Sequence, residues 1–132
     1  MIVNDIDIGE ELNKFQYAGH WEFNATRKKA LGGSEHFSSE MGDHFSLTFN
    51  GRRLKWFTSK ENNLGIAALS IDGGEVLVDL YTYCTEPQYG RLVFDSGLLE
   101  KGNHTLYVRV TGQKNEKSTG VSIFNDRVEI SV

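Results

Sequence analysis

One cysteine and one proline in 132 residues set the first limits on what this chain can be. Cys84, standing alone, excludes an internal disulfide and any zinc site built on paired cysteines. It fits a reduced compartment, and a bacterial secreted module tolerates it as well. No run of about 18 apolar residues exists, so no helix is expected to span a membrane. The start, Met1-Ile2-Val3-Asn4-Asp5, lacks the basic and apolar regions of a signal peptide, which says little if the chain is a module of a longer secreted protein. Positive charge is also scarce. The net charge of −4 gives no electrostatic footprint for nucleic acid, and the short cluster Arg27-Lys28-Lys29 reads first as a solvated loop.

Catalytic signatures are missing too. There is no Gly-x-Ser-x-Gly elbow, no His-Glu-x-x-His helix, no phosphate loop with its lysine and no dinucleotide fingerprint. His20, His36, His44 and His104 are too scattered to suggest zinc. Eighteen acidic residues guarantee candidate pairs for glycoside hydrolysis, so their number decides nothing. The expectation is a protein that is not itself an enzyme.

Glycine is plentiful, 14 residues, where proline is not, which suggests many tight turns between short strands. Period-two alternation recurs between these glycines. Phe45, Leu47 and Phe49 share one face of a strand over 45–49, and Asn50-Gly51 after it is a hairpin signal leading to a strand over 53–58. A strand over 65–71 ends at Asp72-Gly73-Gly74, a second hairpin into 75–83. There Val76, Val78 and Leu80 face one way, and Leu77, Asp79, Tyr81 and Tyr83 the other. Further strands are expected at 91–94, 106–111, 120–124 and 127–132, with at most a helical turn or two at 8–15 and 26–31. The expectation is one all-β domain over 1–132, an antiparallel β-sandwich or jelly roll of about 8–9 strands.

The order of several motifs then narrows the reading. These are Tyr17-Ala18-Gly19-His20-Trp21, Gly33-Ser34-Glu35-His36-Phe37-Ser38, the run from Gly42 through Phe45 and Phe49 to Gly51, and Leu54-Lys55-Trp56. Ile71-Asp72-Gly73, Val78-Asp79-Leu80-Tyr81, Gly97-Leu98 and Gly102-Asn103-His104-Thr105-Leu106 follow, then Gly112 and 123–130. In this order the chain resembles the galactose-binding-domain-like jelly rolls, the β-sandwich of many carbohydrate-binding modules. The resemblance implies a non-catalytic, lectin-like module of a secreted or cell-surface protein, fused to a catalytic or adhesive domain that it holds on an oligo- or polysaccharide. From the charge and the lack of a long apolar run, no partnership with nucleic acid and no membrane insertion are expected. The same fold also serves as a structural or protein-binding module, the alternative reading. Trp21 and Trp56 match positions that pack inside such sandwiches. A structural calcium near the paired termini is a further implication, with Asp7 and Asp126 as its ligands and Asp5 and Glu10 nearby. The chain departs from the family at Asn125-Asp126-Arg127, where an aromatic or aliphatic residue would follow the aspartate.

Sugar recognition has definite physical needs. A pyranose shows an apolar C–H face to an aromatic ring and a rim of hydroxyls to carboxylates, amides or cations, all on a rigid support. The best set of candidates is Asp79, Tyr81 and Tyr83 on the 75–83 strand, with Glu86 and Tyr89 in the loop after it. A second set is the loop 23–37, with Arg27 and His36 beside Gly32 and Gly33. Burial of Tyr81 and Tyr83 on a second covered face is the competing reading for the first set, and an ordinary connection is the competing reading for the second.

Overall fold

A computed structural model describes residues 1–25 and 30–132; Arg27 therefore lies outside the described residues. The architecture is all-β, in agreement with the sequence. Twelve strands are present among the described residues, more than the 8–9 expected. They are β1 (Ile2–Asn4), β2 (Phe15–Ala18), β3 (Glu22–Asn24), β4 (Glu35–Ser38), β5 (His44–Asn50) and β6 (Arg53–Lys60). The second half holds β7 (Ile66–Ile71), β8 (Val76–Asp79), β9 (Gln88–Asp95), β10 (Asn103–Gln113), β11 (Ile123–Asn125) and β12 (Arg127–Ser131). A five-stranded sheet runs β2-β5-β10-β7-β8, a four-stranded sheet β1-β12-β6-β9, and a small third sheet β11-β4-β3. Every strand pairing within them is antiparallel.

Alternation explains the layers. Phe45, Leu47 and Phe49 of β5 meet Leu54 and Trp56 of β6, all of them buried, with Leu106, Val108 and Val110 of β10 and Val128 of β12 in the same core. Trp56 is fully buried as expected, and Trp21 packs half-buried against Phe45 with ring centroids 5.5 Å apart.

One turn differs from its reading. Asn50-Gly51 does not close a hairpin: β5 pairs with β2 and β10, whereas β6 pairs with β12 and β9. The turn is a corner that carries the chain from one layer to the other. The apolar faces on either side of it are large enough to fill opposite walls of the core, and burying both outweighs the local turn preference. Glycine is required there by space, since a Cβ on Gly51 would stand 2.7 Å from the carbonyl oxygen of Ser131. The second turn is the hairpin its sequence suggests. β7 pairs with β8, and Asp72, Gly73 and Gly74 take φ of 57°, 96° and 80°. Residues 8–15 hold turns and a bridge from Ile8 to Phe15 in place of a helical turn.

Candidate functional site

The first candidate set lies where β8 stops. The strand ends at Asp79, four residues short of the expected 75–83 span, and Asp79 itself ends it. Its Oδ1 accepts the backbone N–H of Tyr81 at 2.9 Å, and its Oδ2 accepts from Asn115 Nδ2 at 3.2 Å. Alternation therefore does not carry Tyr81 and Tyr83 onto one face. Tyr81 is half-buried and bridged to Glu61, with Glu61 N–H donating to Leu80 O and Thr82 N–H donating to Glu61 O. Tyr83 swings out and is 84% exposed. Tyr89, on β9, is half-buried.

These stitches fasten the loop 80–87 to the turn 61–64 and leave a cavity of about 260 Å3 between them. Glu61, Asn62, Asn63, Thr85, Glu86 and Pro87 line it. Thr119 N–H donates to Asn62 O and Ser118 Oγ donates to Leu64 O, so the loop 114–122 braces the same end of the sandwich. The cavity wall is rich in hydrogen-bond acceptors and amides, the groups that a rim of hydroxyls requires. Glu86 is the one member of this wall singled out from the sequence. Glu61, Asn62 and Asn63 were missed, because a bridge between distant segments brings them there. A polar Glu-Asn-Asn turn between two strands was the available signal.

The second set divides differently. His36 lies on β4 at 8% exposure, inside a polar network that joins the sheets. Its Nδ1 meets Asp5 Oδ2 at 2.7 Å, and Ser34 Oγ donates to Asp5 Oδ1 at 2.9 Å. The ring stacks on Tyr17 at 4.4 Å between centroids. Tyr17 OH donates to Asp5 O, Asn125 Nδ2 donates to Tyr17 OH, and Trp56 Nε1 donates to Asn125 Oδ1. Burial, against a hydrogen bond from Asn125, holds the Tyr17 hydroxyl well above its ordinary pKa. This phenol stays neutral.

The residues that the resemblance assigns to calcium do not form a full ligand set. No group of three or more His, Cys, Asp or Glu side chains converges for a metal among the described residues. Both oxygens of Asp5 are taken by Ser34 and His36, and Asp7 Oδ2 accepts the N–H of Asn4 at 2.9 Å. Asp126 Oδ2 accepts the N–H of Leu31 at 2.9 Å, while its Oδ1 is buried without a partner. Burial, with Asp5 close by, raises the Asp126 pKa. A lone orphaned oxygen is too little to hold calcium.

No protein-family model matches the chain. Among solved structures, the chain is similar to the CBM36-1 domain of a multidomain xylanase from the hindgut metagenome of Trinervitermes trinervoides, at TM-score 0.60 and 15% identity, over 100% of this chain and 96% of that one. The chain shares the β-sandwich fold of that domain. A two-domain esterase (CEX) active on acetylated mannans, co-crystallized with mannopentaose, superposes at TM-score 0.67 and 16% identity, over 98% of this chain and 36% of the esterase. In sequence, 94 residues are 29% identical to an A type blood alpha-D-galactosamine galactosaminidase of Flavonifractor plautii. That match takes in 71% of this chain and 8% of the enzyme, so the chain spans a small part of its relative.

Proposed function

We propose that this chain is a non-catalytic carbohydrate-binding module that holds a larger secreted protein, enzyme or adhesin, on a glycan. One observation carries the reading: the exposed ring of Tyr83 stands in the same short loop as Thr85 and Glu86, which wall the acceptor-lined cavity. The ring offers a face to the C–H side of a sugar, and Glu86, Thr85, Asn62 and Asn63 offer bonds to its hydroxyls. Likeness to a carbohydrate-binding module over nearly its whole length supports the reading, as do a sugar-processing relative and an esterase neighbour of which this chain matches only a part. The cavity is small against the roughly 300–1,000 Å3 of drug-sized sites, which suits one or two sugar units and weak binding.

Calorimetric titration with mannopentaose, a xylo-oligosaccharide, an α-1,3-linked glucotetraose and D-galactosamine tests it. At least one of these is expected to bind, and Tyr83→Ala is expected to weaken it about tenfold, the loss of one stacked ring. Glu86→Ala is expected to act in the same direction. If none binds, or if both variants bind as the parent does, the proposal is wrong. A second reading, a spacer docked on a neighbouring domain, draws on the exposed Ile6, Ile8 and Leu12 of the N-terminal turns.

A further inference from the structure

Exposed aromatic rings are few. Among the described residues only Tyr83 and Phe23 are large aromatics left open to solvent, Phe23 at 53%. Phe23 sits on β3, the edge strand of the small sheet, directly across from His36 on β4. The two rings lie 5.1 Å apart at 53°, so the phenyl ring leans over the imidazole without covering it.

The imidazole is unusually well held for a group at a surface. Asp5, fully buried, takes its Nδ1 at 2.7 Å, and Tyr17 stacks on the ring. Beside a carboxylate Nδ1 carries the hydrogen, which orients the ring and leaves Nε2 as the outward atom. No described residue bonds Nε2. A side chain nine-tenths buried, fixed by a charged partner, thus keeps one ring nitrogen unbonded by any described residue beside an open aromatic ring. Burying Asp5 and His36 merely to fill space would be costly, whereas a locked donor or acceptor next to a ring meets both needs of a sugar.

We infer that Phe23 and His36 form a second saccharide subsite, separate from the Tyr83 loop, in which one sugar face lies on the Phe23 ring and one hydroxyl bonds His36 Nε2. The inference rests on the reading of this chain as a carbohydrate-binding module and adds a second point of contact to it. Two weak contacts on one rigid body raise retention on a long chain through effective concentration.

The test uses the whole chain with its histidines isotopically labelled. His36 and His104 are the two histidines whose Nδ1 faces a carboxylate, and of their NMR signals those that remain in a His104→Gln variant belong to His36. Titration with the same four saccharides is expected to move the His36 ring signals, and to do so with unchanged affinity in Tyr83→Ala, where the loop site is weakened. Phe23→Ala is expected to abolish that response with the loop site intact, lowering stoichiometry from two to one, and Phe23→Tyr is expected to restore it. Phe23 lies on an exposed edge, so truncating it leaves the core in place. His36 signals that no saccharide moves, with the Tyr83 site still binding, would overturn the second subsite and spare the proposed function. Silence at both sites would overturn both. A Phe23→Ala variant whose His36 signals still move with saccharide would also overturn the inference, by showing that the ring is only a cover.

Discussion

His104 shows how a single side chain ties two turns together in this protein. Its Nδ1 lies 2.5 Å from Asp72 Oδ2 and its Nε2 lies 2.6 Å from Glu100 O, so both ring nitrogens face acceptors. Neutral imidazole has one hydrogen and serves only one of them, whereas the imidazolium serves both. Accordingly the Glu100 carbonyl and then the Asp72 carboxylate raise the His104 pKa, and the His104 ring, helped by the Thr105 N–H, lowers that of Asp72. The signs follow from linkage. A raised histidine contributes stability that is fully present below its unfolded value of about 6.5 and is lost as pH rises through the folded value. A lowered aspartate contributes above its unfolded value of about 3.9 and loses the contribution as pH falls through the folded one. The urea midpoint is therefore expected to fall as pH is taken from about 6 to about 8.5, and His104→Gln is expected to flatten that fall. Parallel profiles for parent and variant would show that the pair contributes nothing. Asp72 is half-exposed, so the effect is expected to be modest and to shrink in salt.

Among the elements, the short strands hold most of what the sequence concealed. Long alternating runs such as those of β5 and β10 could be read directly, because one face is continuously apolar. β1, β3 and β11 have three residues each, too few for a period to emerge, and pairing with distant strands alone makes them strands. β4 is harder still: Glu-His-Phe-Ser reads as a surface loop, yet Glu35, His36 and Ser38 are all buried. Each has a polar partner, Ser59 for Glu35, Asp5 for His36 and Asp43 for Ser38. Composition cannot announce such pairings, and the same blindness turned the Asn50-Gly51 corner into an expected hairpin. Tyr83 and Glu86 could be picked out as candidates from the loop's own residue types, while the placing of Glu61 to Asn63 beside that loop and of Phe23 beside His36 depends on the fold. The polar tie through Trp56, Asn125 and Tyr17 joins β6, β11 and β2 and has a measurable weight. Asn125→Leu would leave Trp56 Nε1 buried without its acceptor at 3.0 Å, at an expected cost of about 1–3 kcal/mol in urea unfolding. A loss below about 0.5 kcal/mol, the scatter of ordinary surface changes, would mean that the network is not what joins those sheets.

At the scale of the whole molecule, the exposed loops sit on a support with no helix among its described residues and with three sheets closed around one aromatic core. On the proposed reading, any gain from binding comes from what the module is attached to. The match to 8% of the galactosaminidase and 36% of the esterase, against 96% of the xylanase's binding domain, suits a piece that works as an appendage. A site that binds weakly in free solution becomes useful when its partner domain is tethered, since the local concentration of the second contact rises to about the millimolar range for a short linker. Fused to a glycoside hydrolase with its own separate active site, this chain is therefore expected to raise turnover of an insoluble polysaccharide that it binds and to leave turnover of a short soluble substrate unchanged. Tyr83→Ala in the fusion is expected to cut the gain on the solid in step with the lost sedimentation, without touching the soluble rate. Sedimentation of the fusion with the solid, measured beside both rates, separates the causes. A gain that persists when Tyr83→Ala no longer sediments would place the benefit in contact between the two domains, and targeting would not be the work of this module.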